Sequence, residues 1–171
     1  ISGYEARVVD DDGNEVAPGT TGKLAVRGPT GCRYLADERQ KKYVQNGWNL
    51  TGDAYQMDED GYFWFQARTD DMIISSGYNI AGPEVETALM AHQAVLECAV
   101  VGVPDAQRGS LVKAFVVLQQ GILGDVKLVK ELQEFVKNSI APYKYPRALD
   151  FVDSLPKTET GKIQRFKLRE G

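Results

Sequence analysis

Ala67-Arg68-Thr69-Asp70-Asp71-Met72-Ile73-Ile74-Ser75-Ser76-Gly77-Tyr78 is the stretch on which the reading of this chain turns. An apolar strand gives way at Arg68 to consecutive charged residues, and a new apolar strand starts at Met72 and ends on a glycine turn. Upstream of this joint the sequence reads as β-structure. Downstream, strands and helices alternate. The predicted fold is therefore α+β, with a β-rich segment at residues 1–67, a joint at 68–71 and a small mixed-sheet α/β unit at 72–171.

Outward toward the N-terminus, Tyr4 to Val9 and Lys23 to Arg27 alternate as strands do, with a turn at Asp10-Asp11-Asp12-Gly13-Asn14 between them. That triple aspartate lacks the spaced acidic ligands and distal Glu of a calcium loop, so it reads as a hairpin turn. Asp37 to Tyr43, charged and free of Gly and Pro, reads as a short helix. Trp48-Asn49-Leu50-Thr51-Gly52-Asp53 reads as a short strand running into a glycine turn that ends on a carboxylate. A hairpin follows, Ala54 to Met57 and Tyr62 to Gln66 around Asp58-Glu59-Asp60-Gly61. The aromatic run Tyr62-Phe63-Trp64-Phe65 could stack on bases, but the chain is acidic and the run has no basic neighbours, so it reads as sheet core.

Outward toward the C-terminus, Gly82-Pro83 opens a helix with an apolar stripe of Val85, Ala88 and Leu89. Val95 to Val103 and Leu111 to Leu118 read as strands around a Pro104-Asp105 turn. Asp125 can cap a helix that buries Leu128, Val129, Leu132, Phe135, Val136 and Ile140. Ala148 to Val152 is a third strand. It leads into Pro156-Lys157-Thr158-Glu159-Thr160-Gly161-Lys162-Ile163-Gln164-Arg165, a polar loop that delivers a lysine after a glycine. A phosphate-cradling P-loop would need glycine where Pro156 stands and Ser or Thr where Ile163 stands, so this is a different device.

The chain has 171 residues, is 43% hydrophobic and carries a net charge of −4, enough for an ordinary core and unsuited to sequence-independent nucleic-acid binding. Lys and Arg cluster only from Lys157 to Arg169, which reads as a solvated helix face. Cys32 and Cys98 are far apart with no His nearby, which argues against a disulfide or zinc site and fits a reducing, cytoplasmic setting. His92, at a helix end, reads as a C-terminal cap. No apolar run long enough for a membrane span and no signal-peptide pattern occurs, so neither membrane nor nucleic acid is an expected partner.

Threonine-glycine-aspartate at Thr51 to Asp53, arginine-x-aspartate-aspartate at Arg68 to Asp71 and the late glycine-lysine loop, in that order, resemble the adenylate-forming superfamily. Ser76-Gly77-Tyr78, Arg108-Gly109, Ala141-Pro142-Tyr143-Lys144-Tyr145-Pro146-Arg147 and Lys162-Ile163-Gln164-Arg165 are most similar to its medium-chain and aromatic acyl-CoA synthetases. The resemblance covers nearly the whole chain. Members of that superfamily are roughly three times as long, so it implies a C-terminal part of a longer enzyme, inactive by itself. The Ser/Thr/Gly-rich phosphate loop and the acyl pocket would lie in an N-terminal domain outside this sequence.

The implied reaction is ATP-dependent formation of an acyl-adenylate from an aromatic or medium-chain acid, followed by transfer to CoA. The resemblance gives Lys162 the catalytic role, bridging the acid's carboxylate and the α-phosphate, and makes Asp53 and Arg68 nucleotide contacts. It makes Asp70 the hinge of a mobile lid at 72–171. Ser76, Gly77, Tyr78, Arg108 and Lys137 become CoA contacts, and Mg2+ would arrive with ATP on ligands outside this sequence. The chain departs from the pattern at Asn79 and Ala67, where relatives usually have arginine and glycine. Two other readings compete: an adenylation domain that loads a carrier protein, and a non-catalytic nucleotide-binding or interaction module.

Overall fold

The computed structural model describes residues 2–29, 31 and 43–169. The helix expected at Asp37 to Tyr43 lies almost wholly outside the described residues. The chain divides into two compact units, Ile1–Asp70 and Asp71–Gly171.

The N-terminal unit is built on an antiparallel sheet. Strands β1 (Glu5–Val9), β2 (Thr21–Arg27), β4 (Trp48–Met57) and β3 (Val44–Gln45) lie side by side, and β5 (Phe63–Arg68) pairs with β4. The aspartate-rich turn folds as expected. Asp10 Oδ1 accepts the Asp12 and Asn14 backbone N–H groups, and this holds the carboxyl below its usual range. The glycine turn expected at Gly52 is instead an irregularity inside one ten-residue strand. Lys23 pairs with Ala54 and Ala25 with Leu50, so extra residues of β4 face a single residue of β2. Gly52 absorbs that bulge at φ +83°, where a side chain would be strained.

The apolar centre of this sheet is Val9, Ala25 and Trp48, with Leu50 packed alongside. Two guanidinium groups lie over the Trp48 ring, Arg7 and Arg27 at 4.0 and 4.7 Å from its centroid. The aromatic run of β5 is not core. Tyr62, Trp64 and Phe65 are 67, 59 and 55% exposed, because no described residue of this unit covers them.

The C-terminal unit is a mixed five-stranded sheet. It comprises β6 (Met72–Ser75), β7 (Tyr78–Ala81), β8 (Val95–Asp105), β9 (Gly109–Leu118) and β10 (Ala148–Phe151). All pairings are antiparallel except β9 with β10, whose connection carries helix α2 (Val126–Ser139). A parallel pair needs a crossover of that length. Asp125 caps α2 as expected, Oδ1 accepting from the Leu128 N–H at 2.7 Å. Helix α1 (Gly82–Met90) begins with Pro in its first turn and buries Val85, Ala88 and Leu89. The β8–β9 turn falls at Ala106 to Arg108, not at Pro104-Asp105. Both of those residues remain paired in β8, and Asp105 Oδ1 accepts the Gln107 and Arg108 N–H groups.

Both faces of the β8–β9 hairpin are covered, so its strands read as nearly continuous apolar runs. On one face Cys98, Val100, Val112, Ala114 and Val116 meet Val85 and Leu89 of α1 and Leu132 and Val136 of α2. On the other, Ala99, Val101, Phe115 and Val117 meet Leu155, Ile163 and Leu168 from the C-terminal segment. Burial pushes the Cys98 thiol up to about 12, with the Glu86 carboxylate adding to the effect. His92 is buried rather than capping. Its Nδ1 accepts the Ala94 N–H, its Nε2 lies 3.3 Å from Glu131 Oε1, and its ring packs edge-on against Phe135, so it joins the end of α1 to α2.

Candidate functional site

In the N-terminal unit the β4–β5 register sets Asp53 directly opposite Arg68. The two side chains meet as an ion pair, Arg68 Nε to Asp53 Oδ1 at 3.3 Å. The guanidinium is 62% exposed on its side-chain surface, so the pair adds little to stability and leaves donors free to meet a ligand. Arg68 also lines an open cleft with Lys23, Tyr43, Gln45, Leu50, Gly52, Thr69 and Asp70. The Thr69 hydroxyl in that lining is buried and has no hydrogen-bond partner among the described residues. Thr69–Asp71 form a single 3-10 turn at the junction between the units.

In the C-terminal unit β6 and β7 are joined by the two-residue turn Ser76-Gly77, with φ of +52° and +81°. Two consecutive left-handed residues define a type I′ hairpin, and glycine fits the second position without cost. Ser76 donates its N–H to the Arg108 carbonyl (2.9 Å), and Arg108 Nη1 donates to Ser76 Oγ (3.0 Å). Ser75 pairs with Gly109 beside them. Tyr78 stacks on Tyr143 with ring centroids 4.5 Å apart. The fold thus gathers Ser76, Gly77, Tyr78 and Arg108, and it adds Tyr143. Lys137 lies on the last turn of α2, where it bonds Glu134 and stands 4.3 Å from the Tyr145 ring centroid.

The lysine loop is a tight clip. Lys157 and Ile163 form a bridge, Thr158 N–H donates to the Lys162 carbonyl, and Gly161 N–H donates to the Thr158 carbonyl. The Lys162 N–H donates to Thr158 Oγ1, and Gly161 turns the chain at φ +82°. Lys162 is exposed at the tip, and its ammonium has no ion-pair partner among the described residues. The loop's backbone is therefore fixed while its cation is available to an anion.

The basic cluster from Lys157 to Arg169 is not a solvated helix face. Lys157 pairs with Glu97, Arg165 with Glu86 and Arg169 with Asp71. Sequence reasoning missed Glu86, because its partner lies 79 residues further along the chain. It missed Tyr143 as well, since only the fold brings that ring onto Tyr78. No group of three or more His, Cys, Asp or Glu side chains that could hold a metal ion occurs among the described residues. No described helix is long and apolar enough to cross a membrane.

Residues 84–162 match the family of AMP-binding enzyme C-terminal domains. An uncharacterised acyl-CoA ligase of Bacillus subtilis (strain 168), YtcI, is 49% identical over 98% of this chain and 32% of its own length. The human mitochondrial acyl-coenzyme A synthetase ACSM5 is 50% identical over 97% of this chain and 30% of its own. A benzoate CoA ligase from Burkholderia xenovorans LB400 superposes with a TM-score of 0.77 at 42% identity, over 99% of this chain and 34% of that one. The chain spans about a third of the length of these relatives. Residues 84–162 are thus similar to that C-terminal domain, and nearly the whole chain is similar to acyl-CoA ligases and synthetases.

Proposed function

We propose that this chain is the C-terminal part of an AMP-forming acid–CoA ligase for an aromatic or medium-chain carboxylic acid. In the first half-reaction a carboxylate oxygen of the acid attacks the α-phosphorus of ATP and pyrophosphate leaves. In the second, the CoA thiol sulfur attacks the acyl carbonyl, loses its proton and expels AMP. Phosphoryl transfer of this kind spreads negative charge over oxygens and depends on positioned cations. The observation that carries the proposal is Lys162, a cation with no ion-pair partner among the described residues, on a turn whose backbone is closed by its own hydrogen bonds.

Each remaining residue takes a role its geometry supports. Asp53, oriented by Arg68, accepts from the ribose hydroxyls, and Arg68 has donors left for nucleotide oxygens. Asp70, in a single helical turn between compact units, is the hinge. The Ser76-Gly77 turn, Tyr78 and Arg108 line the path of the CoA arm, where an exposed hairpin without bulk at Gly77 gives a narrow thiol chain room. Lys137 is assigned to a CoA phosphate. Mg2+ would enter with ATP. Its ligands would lie outside this sequence. The free, buried Cys98 is compatible with a reducing compartment such as the cytoplasm.

The test is Lys162→Ala in the complete enzyme, with the half-reactions measured separately. Pyrophosphate release from acid and ATP should fall about 10²–10³-fold, the usual effect of removing one charge-stabilising donor. Thioester formation from supplied acyl-adenylate and CoA should be retained. Equal losses in both halves would contradict the assignment.

A further inference from the structure

Two functional patches of the C-terminal unit are held in place by different means. The Ser76–Arg108 patch is fixed by main-chain pairing, through the β6–β7 hairpin and the Ser75–Gly109 bridge. The lysine clip is fixed at its base by Ile163 and Leu168 on the apolar face of β8 and β9, and immediately beyond its tip by charge. Arg165, three residues after Lys162, grips Glu86 of α1. Its Nη2 donates to both carboxylate oxygens at 2.9 and 2.8 Å, and its Nε donates to Oε1 at 3.2 Å. Glu86 Oε1 also accepts the Val100 N–H of β8 at 2.8 Å, which ties the pair to the sheet.

The other side of the same guanidinium faces Asp71, with Arg165 Nη1 3.8 Å from Oδ2. Asp71 Oδ1 in turn accepts from Arg169 Nη2 at 2.8 Å. Asp71 is the first residue of the C-terminal unit, directly after the junction. Two carboxylates and two guanidinium groups balance in charge, and the four side chains are each between 12 and 31% exposed. Partly buried ion pairs of this kind are a weak source of stability, since apolar side chains of equal volume often serve as well. What they supply is a fixed geometry with directional bonds.

The geometry points to Asp71, Glu86, Arg165 and Arg169 as a positioning network that locks the segment after the hinge to the lysine clip. A rotation about the junction is then delivered to Lys162 without slack. The inference rests on the reading of Lys162 and Asp70 given above. It predicts a selective effect. The network serves the half-reaction that needs Lys162 in register, and it is not needed by the Ser76–Arg108 patch, whose position the sheet fixes independently. A misplacement on the order of 1 Å can cost about 10²-fold in rate, so loosening one link should be visible in catalysis without disturbing the fold.

The experiment uses the complete enzyme with Asp71→Asn, Arg169→Gln and the double variant. Arg165→Lys, which keeps the charge but loses the two-pronged grip, is added as a second route because Arg165→Gln would strand Glu86 and risk misfolding. Each single variant should slow pyrophosphate release about tenfold or more through kcat, with the KM for ATP and acid nearly unchanged. Thioester formation from supplied acyl-adenylate should be preserved. The double variant should be no slower than the worse single one, because both break the same link. Parallel loss of both half-reactions with a lowered melting temperature, or no loss in either, would overturn the inference. Lys162→Ala run alongside separates the layers. If it slows adenylation while the network variants do not, only the network fails. If it leaves adenylation intact, the reading of Lys162 fails and the network falls with it.

Discussion

The two units bury a β-sheet in opposite ways. In the C-terminal unit, β8 and β9 are covered on one face by α1 and α2 and on the other by Leu155, Ile163 and Leu168. In the N-terminal unit the one apolar cluster among the described residues is Val9, Ala25 and Trp48, and β5 leaves Trp64 and Phe65 to solvent. Both contain strands with convincing apolar patterns. The difference teaches that the pattern along a strand says which residues share a face, and says nothing of whether a second layer covers it.

The largest effect should come from separating the units. Residues 71–171 prepared alone should unfold cooperatively in denaturant, because each face of the sheet is closed from within the unit. Residues 1–70 alone should give a broad transition and bind a hydrophobic dye. A sharp transition for 1–70 with a comparable midpoint would break the comparison. A smaller but sharper test substitutes one residue in each unit. Leu132→Ala, in a fully buried site, should cost about 2–5 kcal/mol in chemical denaturation of the complete protein. Phe65→Ser, at an exposed site, should change stability by about 0.5 kcal/mol or less.

Much of the C-terminal unit was legible because its signals are local. Pro83 in the first turn, Asp125 as cap and the stripes Val85-Ala88-Leu89 and Leu128 to Ile140 each fix an element within a few residues. The failures have a common physical origin. Gly52 reads as a turn because a glycine at positive φ looks the same in sequence whether it ends a strand or bulges it, and only the partner strand decides. Pro104 reads as a turn in sequence, although at that place in the β8–β9 hairpin proline is tolerated in the strand. The aromatic run reads as core, but the described residues of the unit leave Tyr62, Trp64 and Phe65 exposed. In the candidate site, Asp53 and Arg68 could each be singled out, but their pairing follows from the β4–β5 register. The Glu86–Arg165 grip joins residues too distant for any local pattern to link.

The smallest predicted effect concerns the exposed face itself. Asp58 accepts the Trp64 indole N–H at 2.8 Å and the Tyr62 and Asp60 backbone N–H groups. These bonds, the indole first, hold its carboxyl below the ordinary aspartate value of 3.8. A carboxyl depressed on folding stabilises the fold at pH above its unfolded value, and that contribution is lost as pH falls through the lower folded value. In a Trp48→Phe background, Trp64 emission should therefore change as the pH drops below 3.8. Asp58→Asn should remove that step. An unchanged step would mean the aromatic face is organised by something other than Asp58.

The most direct test of the account is the joint between the units. Asp70→Pro in the complete enzyme fixes φ near −65°, which suits the 3-10 turn of Thr69–Asp71 and should hold the C-terminal unit in one orientation. Adenylate formation and thioester formation are then measured separately on the same preparation. If the joint turns between the two half-reactions, one rate should fall by about 10²-fold or more while the other stays within a few-fold of wild type. Equal, mild effects on both would contradict a pivot at Asp70.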